Sequence, residues 1–232
     1  MTAEQLEEFR THGVIALRQE LRKDQYEPVR QHVLSELKRL KVWSGGKASQ
    51  GAMKGVPMFQ QVTRLSQSIR YDGLRERIVS ADLLHRMQQL AGNSRLSAQE
   101  PQLLVSPPNQ GEWSFDGLNW HTDITPPADG RLPGVQVFAL LDDVAPKGGG
   151  TLVVAGSQGV KRGSGTAYGI LHDVLRQGDA VPDRLTALGY SLVEMSGRAG
   201  DVYLMDLRLL HSPSVNSLSR PRIMATSRYF VA

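Results

Sequence analysis

The sequence predicts an α+β fold in which N-terminal helices pack on a mainly β core. Its 23 glycines and 12 prolines indicate more turns than a helical bundle needs. Near residue 100 the apolar pattern also changes, from three- and four-residue spacing to short alternating runs. Neither a linker nor a repeat divides the 232 residues. We therefore predict one domain over 1–232, with 1–99 mainly helical and 100–232 forming the β core.

The N-terminal part carries helix signals in chain order. Thr2 and Gln5 form a capping-box pattern that starts a first helix, and Gly13 ends it. The apolar run 14–17 then predicts a short strand. The later elements, placed by apolar periodicity or by Gly-rich composition, are a helix over 24–40, a mobile loop over 43–57 and a helix over 78–91.

After residue 100, short apolar or alternating runs are separated by Gly, Pro and Asp, a pattern typical of an antiparallel β-sandwich or barrel. The predicted strands cover 102–105, 135–141, 151–154, 191–195, 202–205 and 223–230. Helical insertions are predicted between strands at 167–177 and 182–188.

Composition limits the function classes. The chain has no cysteine, so disulfides and thiolate chemistry are excluded and any metal must be held by histidine and carboxylate. A net charge of +4 with scattered basic residues gives no sign of nucleic-acid binding. There is no secretory signal pattern and no run of about 18 apolar residues, which predicts no membrane span and a cytoplasmic location. A small molecule is the expected partner, and the oligomeric state is left open.

The triplet His121-Thr122-Asp123 is the main candidate for chemistry. In an extended strand, residues two apart point to the same face, so His121 and Asp123 can bind one ion. His211, which follows a turn and the apolar run 202–205, is the candidate third ligand. Two histidines and one carboxylate form the facial triad typical of non-haem iron(II) oxygenases, with positions left open for cosubstrate and O2.

Arg222 follows His211 by eleven residues, where the last predicted strand begins. An arginine that points into a β core is costly unless an anion pairs with it. Its guanidinium can bind a carboxylate through two parallel hydrogen bonds, which lysine cannot do. The free carboxylate of a 2-oxoglutarate molecule bound to iron through its keto-acid end would be such an anion.

These motifs occur in an order that resembles the phytanoyl-CoA dioxygenase-like family of Fe(II)/2-oxoglutarate-dependent oxygenases. The similar segments are the F-x-x-x-G-apolar opening at 9–17, W-H-x-D at 120–123, G-G-T-L-V-V-A-G-S at 149–157, the approach to His211 from 200, and Arg222. The resemblance implies a double-stranded β-helix (jelly-roll, cupin-like) core. It also implies iron(II), 2-oxoglutarate and O2 as cofactor and cosubstrates.

The resemblance assigns roles by position. His121, Asp123 and His211 would be the iron ligands, and Arg222 would bind the distal carboxylate of 2-oxoglutarate. Thr151 is a further candidate cosubstrate contact by resemblance. Gln102, on the strand before the triplet, is either another such contact or a structural strand residue.

Two departures from the family pattern occur. Its G-S-H reads Gly-Ser-Gln at 156–158, and its H-G-S reads His-Ser-Pro at 211–213, which puts a hydroxyl contact from the second stretch in doubt. The implied reaction oxidises a small-molecule or natural-product intermediate and releases succinate and CO2. Hydroxylation is favoured, with desaturation or ring formation as alternatives. Halogenation is disfavoured, because halogenating relatives carry a small residue in place of Asp123.

Two other classes stay open. One is a cupin-like dioxygenase or isomerase that uses the His-Asp-His site without 2-oxoglutarate, and the other is a catalytically silent binding module. The loops 43–57 and 106–119 are predicted to form a lid over the site. Trp113 and Phe115 are either substrate contacts or internal anchors of the second loop, and Trp120 is predicted to fill the core.

Overall fold

The computed structural model describes residues 1–48, 53, 55–125, 127, 129–160 and 167–232. The helices are α1 (Ala3–His12), α2 (Lys23–Arg39), α3 (Met58–Ser68), α4 (Leu74–Ile78), α5 (Ala81–Ala91), α6 (Ala167–Val174) and α7 (Val181–Ala187). The strands are β1 (Val14–Leu17), β2 (Trp43–Ser44), β3 (Lys47–Ala48), β4 (Leu96–Ala98), β5 (Gln102–Ser106), β6 (Gly134–Leu140), β7 (Thr151–Ala155), β8 (Ser191–Glu194), β9 (Val202–Asp206), β10 (His211–Pro213) and β11 (Arg222–Val231). Each strand and helix that the sequence predicted is present, with bounds shifted by a few residues at most, except that one predicted helix is broken and the predicted strand through 121–123 is a single bridge at His121.

Two antiparallel sheets make up the β core, and β2 and β3 pair separately as a hairpin. The major sheet has the order β1-β9-β6-β11-β4, with β5 paired to the first half of β11, and the minor sheet has the order β10-β7-β8. Residues from both sheets share one apolar cluster, which includes Phe138, Val153 and Met224, so the sheets lie face to face. The predicted double-stranded β-helix core with N-terminal helices is thereby confirmed.

The outer face of the major sheet is covered by the N-terminal helices. Alternate residues of its strands, such as Val137, Leu204 and Ile223, are fully buried in a cluster that also contains Val33 of α2 and Met87 of α5. This alternation is the two-residue period of a strand, and it leaves the intervening side chains facing the minor sheet.

The outer face of the minor sheet is covered by α6 and α7. Leu152 and Val154 of β7 pack there with Leu171 and Leu185 of these two helices. The space between the two sheets is thus enclosed on both sides by sealed apolar layers. Within the described residues, none of the helices combines the length and the apolar character that crossing a membrane requires.

The first helix begins and ends as predicted. The Thr2 hydroxyl accepts a hydrogen bond from the Gln5 backbone, and the Gln5 side chain accepts one from the Thr2 backbone. Gly13 ends the helix with φ 72°, a left-handed conformation that glycine adopts without strain. A Cβ at Gly13 would also lie 2.9 Å from Leu209 Cδ1, so a side chain there would disturb the segment that leads to His211.

Two predictions in the helical part need correction. The helix predicted over 78–91 is broken, because α4 ends at Ile78 and the Ser80 hydroxyl accepts a hydrogen bond from Leu83 N to start α5. The predicted loop 43–57 begins as the hairpin of β2 and β3, while 49–52 and 54 lie outside the described residues. Helix α3, which follows that loop, was not predicted from the sequence.

Candidate metal and cosubstrate site

A cavity of about 740 Å³ extends between the inner faces of the two sheets and α3. Five of the six predicted site residues line it, namely Gln102, His121, Thr151, His211 and Arg222. The sixth, Asp123, forms one cluster with His121 and His211, whose candidate ligand atoms lie within 4.8 Å of one another. The tertiary structure therefore brings all six together from five separate segments of the chain.

The two histidines are held side by side by their backbones. His121 and His211 form an isolated antiparallel bridge in which each N–H donates to the other's carbonyl at 2.9 Å. Their rings follow the backbones, with centroids 4.3 Å apart. The sequence predicted a strand through 121–123, but only His121 is bridged and Asp123 lies in a bend. In the antiparallel register Asp123 would pair with Leu209, which itself lies in a bend before β10, so the ladder does not extend beyond His121.

Both imidazoles present the same nitrogen to the site. Nδ1 of His121 donates to the Asn119 carbonyl at 2.8 Å, and Nδ1 of His211 donates to the Leu209 carbonyl at 3.0 Å. A neutral ring that donates through Nδ1 keeps a lone pair on Nε2. Burial lowers the pKa of His211 to about 4, although Asp123 opposes the shift. His211 is therefore neutral at physiological pH, which is the form that binds metals.

Asp123 completes the donor set. Its Oδ2 atom is buried, has no hydrogen-bond partner among the described residues and lies 3.9 Å from Nε2 of His211. A buried carboxylate oxygen without a partner is costly, so a cation at this point accounts for it. Two imidazole nitrogens and one carboxylate oxygen are the donors of the iron(II) facial triad, so the residues fit that metal.

Arg222 is the buried cation of the cavity. It is 3% exposed, its Nε donates to Ser106 Oγ at 3.2 Å, and its Nη2 donates to the same hydroxyl. Its Nη1 lies 3.1 Å from Met224 Sδ, and no carboxylate in the described parts of the chain pairs with it. Burial lowers the pKa of Arg222 to about 10, so it stays charged at neutral pH. A charged group in this position calls for an anion from outside the chain.

The stretch after His211 carries no hydroxyl into the cavity. Ser212 pairs with Leu152, on the face that points away from the cavity, and Pro213 lines the cavity instead. Thr151, the cross-strand partner of Pro213, supplies a hydroxyl-bearing side chain to the same wall. Gln102 is exposed at the edge of the cavity, opposite Thr226 in the major sheet.

Ser157 connects the Gly-Ser turn to the segment before His211. Its hydroxyl donates to the Val154 carbonyl at 2.6 Å and accepts from Leu210 N at 3.0 Å. Both partners are backbone atoms, so Ser157 stabilises the path of the chain into β10. The motif therefore positions the distal histidine without facing the cavity itself.

Arg228 contacts the His-Asp-His cluster, and the sequence patterns did not identify it as a site residue. Its Nη2 lies 2.7 Å from Oδ1 of Asp123. Arg222 and Arg228 are six residues apart on β11, so the two-residue period places both on the inner face. That parity was available in the sequence, but the contact with Asp123 depends on the tertiary fold.

Gln136 is a second residue that sequence reasoning missed. Its Nε2 donates to Thr226 Oγ1 at 2.9 Å, and Thr226 in turn donates to the Val137 carbonyl at 2.8 Å. Because the Thr226 hydrogen is already used, the nitrogen end of the Gln136 amide must face Thr226. The other end, Oε1, is buried and has no hydrogen-bond partner among the residues that the structure describes, and Gln136 lines the cavity.

The aromatic residues of the loop 106–119 do not line the cavity. Trp113 and Phe115 pack edge to face, 4.8 Å apart, in the apolar cluster outside the minor sheet. Trp120 is buried in the same cluster, as predicted. The structure thus favours the anchoring role for Trp113 and Phe115. The cavity is lined instead by residues of α3, such as Phe59 and Val62.

The chain belongs to the phytanoyl-CoA dioxygenase family, whose family model matches residues 9–224. A search of curated proteins finds no match.

Solved structures share the fold at low sequence identity. AviO1 from Streptomyces viridochromogenes Tue57 is 17% identical with a TM-score of 0.63, and the alignment covers 99% of this chain and 94% of the AviO1 chain. The non-heme alpha ketoglutarate dependent carbocyclase SnoK from nogalamycin biosynthesis is 20% identical with a TM-score of 0.64, covering 100% and 85%. EctD from S. alaskensis, solved with 2-oxoglutarate and 5-hydroxyectoine, is 17% identical with a TM-score of 0.62, covering 100% and 76%.

Proposed function

We propose that this protein is an Fe(II)/2-oxoglutarate-dependent oxygenase that oxidises a small-molecule or natural-product intermediate. His121, Asp123 and His211 hold iron(II), and Arg222 binds the distal carboxylate of 2-oxoglutarate. The observation that carries the proposal is the buried Arg222 guanidinium, without a carboxylate partner among the described residues, in the same cavity as the His-Asp-His cluster. Family membership supports the same cofactor set.

The chain's own residues supply ligands, orientation and shielding. Bound iron, with 2-oxoglutarate and O2, supplies oxidative decarboxylation to succinate and CO2 coupled to oxidation of the substrate. His121, Asp123 and His211 each offer a ligand atom, and these atoms lie within 4.8 Å of one another, close enough to bind one ion. Arg222 orients the cosubstrate by charge and hydrogen bonds, with Thr151 and Gln102 as further candidate contacts on the cavity wall.

Hydroxylation is the outcome that we favour. Halogenating relatives have a small residue in place of Asp123, and that leaves a coordination position for a halide. Here Asp123 supplies a carboxylate at that position instead. Desaturation and ring formation need the same ligands, so the site residues do not separate them from hydroxylation. SnoK, which shares the fold, is described as a carbocyclase, so the fold admits outcomes other than hydroxylation.

Anaerobic titration tests the proposal and separates it from its alternatives. Purified protein is titrated with Fe(II) and then with 2-oxoglutarate, with the iron-to-cosubstrate charge-transfer absorption as the readout. We expect saturable binding by the unmodified protein and its loss in Arg222→Met, while the matched surface variant Arg220→Met behaves like the unmodified protein.

Each alternative predicts a different result. A cupin-like enzyme that does not use 2-oxoglutarate would bind iron but give no charge-transfer band. A silent module would bind both but release no succinate in air with any member of a substrate panel. Substrate-stimulated succinate release would establish the oxygenase and identify the class of substrate.

A further inference from the structure

Arg228 approaches only one oxygen of the candidate carboxylate ligand. Its Nη2 donates to Oδ1 of Asp123 at 2.7 Å, while Oδ2 has no hydrogen-bond partner within the described ranges and is the oxygen nearer His211. The Asp123 side chain is 9% exposed, so this ion pair is largely shielded from solvent. The two oxygens of one carboxylate therefore have separate surroundings: one faces a guanidinium and the other faces the histidines.

The backbone fixes the position from which Arg228 acts. It lies on β11 directly opposite Gln136 of β6, within a seven-residue register between the two central strands of the major sheet. Its side chain is 31% exposed and lines the cavity, while its Nε is buried and has no hydrogen-bond partner in the described part of the chain. Arg228 thus reaches Asp123 from a rigid strand, whereas Asp123 lies in a bend with no ladder to hold it.

We propose that Arg228 is a positioning residue that makes Asp123 a one-oxygen ligand of the metal. With Oδ1 engaged by Arg228, only Oδ2 is free to turn toward the metal that His121 and His211 also bind. A carboxylate that used both oxygens would occupy a coordination position that the cosubstrates need. Hydrogen bonds to ligating carboxylates orient them and tune metal affinity. The identity of the metal rests on the proposed function, but the role of Arg228 toward Asp123 does not require 2-oxoglutarate.

Titration with Co(II) alone tests the proposal without turnover. The unmodified protein, Arg228→Met and Arg228→Lys are titrated, with affinity and the ligand-field absorption as readouts. We expect Arg228→Met to bind Co(II) about tenfold more weakly or worse, with bands of altered position and intensity as Asp123 becomes free to bind through both oxygens. Arg228→Lys keeps the charge but offers no planar fork, so its affinity should lie between the two while its spectrum still differs from that of the unmodified protein.

Controls separate positioning from general stabilisation. Arg220→Met removes an arginine whose side chain is 66% exposed and paired with Asp142, and it should change neither the Co(II) affinity nor the spectrum. Thermal unfolding of each metal-free variant reports any loss of stability. If Arg228→Met fails to fold, the spectrum of Arg228→Lys decides the question.

Two results would overturn the proposal. One is a folded Arg228→Met or Arg228→Lys with the Co(II) affinity and spectrum of the unmodified protein, and the other is a variant that only lowers the unfolding temperature. A different outcome applies to the proposed function: if the unmodified protein binds Co(II) but no 2-oxoglutarate with Fe(II), the cosubstrate assignment fails. The role of Arg228 would then still be decided by the Co(II) spectra.

Discussion

The two faces of the major sheet use the same strands for opposite purposes. Along β11, Ile223 and Ala225 point outward into the cluster under the helices, whereas Arg222, Thr226 and Arg228 point inward to the cavity. The outward residues are apolar and sealed, and the inward ones keep charge and hydrogen-bonding groups available. Because successive side chains alternate, one strand stabilises the fold through one face and presents the site through the other.

The inner face is itself divided. In one part, apolar side chains from both sheets, among them Phe138, Val153 and Met205, fill the space between them. Elsewhere the cavity is lined by the buried Arg222 and the Gln136 amide and adjoins the buried Asp123 carboxylate, and each of these groups lacks a full set of partners among the described residues. Such groups are costly in an empty protein and useful where a ligand completes them. The comparison therefore predicts that outward substitutions change stability and inward ones change binding.

The largest expected effect is that of His211→Ala, on the inward side. It removes one of two imidazoles that the backbone bridge holds together, so stoichiometric Fe(II) binding should be lost in an anaerobic titration. His85→Ala, at an exposed position of α5, should bind iron like the unmodified protein. Iron binding and normal consumption of 2-oxoglutarate by His211→Ala would show that the triad is wrong.

Arg222→Met sharpens the comparison because its two effects have opposite signs. The affinity for 2-oxoglutarate should fall by roughly 2 to 5 kcal/mol, the cost of truncating one partner of a buried charge pair. The ligand-free protein should become more stable, since a buried charge is replaced by an apolar side chain. Isothermal titration and urea unfolding without ligands measure the two quantities. A destabilised ligand-free variant would instead mean that Arg222 mainly supports the fold through Ser106.

Leu204→Ala tests the outward face. Leu204 is fully buried under the helices, so the free energy of unfolding should fall by about 2 to 5 kcal/mol in urea. The Fe(II) and 2-oxoglutarate affinities of the folded protein should not change, because the inward side chains on the neighbouring strands remain in place. A marked loss of affinity in folded Leu204→Ala would break the separation of the two faces.

The smallest expected effect is that of Gln136→Leu. The variant removes Oε1, which has no partner in the described part of the chain, but it also removes the hydrogen bond from Nε2 to Thr226, so the free energy of unfolding should fall by about 1 kcal/mol. With a substrate identified by succinate release, we expect KM for that substrate to rise about tenfold or less, the value of one hydrogen bond, at constant 2-oxoglutarate affinity. An unchanged KM in Gln136→Leu would indicate that Oε1 binds only water.

Much of the fold was readable from local signals. The capping box at Thr2, the glycine stop at Gly13 and the strands from Gln102 onward are short-range patterns, and each is present in the structure. Helix α3 was missed because the Gly-rich stretch before it dominated the interpretation. The short strands β4 and β10 were missed because three residues carry too little periodicity, and only pairing with β11 and β7 defines them.

The same distinction between local sequence patterns and long-range contacts applies to the candidate site. The donor types follow from the sequence, which lacks cysteine and offers H-x-D, a later histidine and an arginine near the last strand. Which histidine nitrogen faces the site, which Asp123 oxygen is free, and the roles open to Arg228 and Gln136 were decided only by the tertiary structure. The physical reason is that hydrogen-bond partners far apart in sequence fix these orientations. Asp123 and Arg228 are 105 positions apart, and only the pairing of the strands brings them into contact.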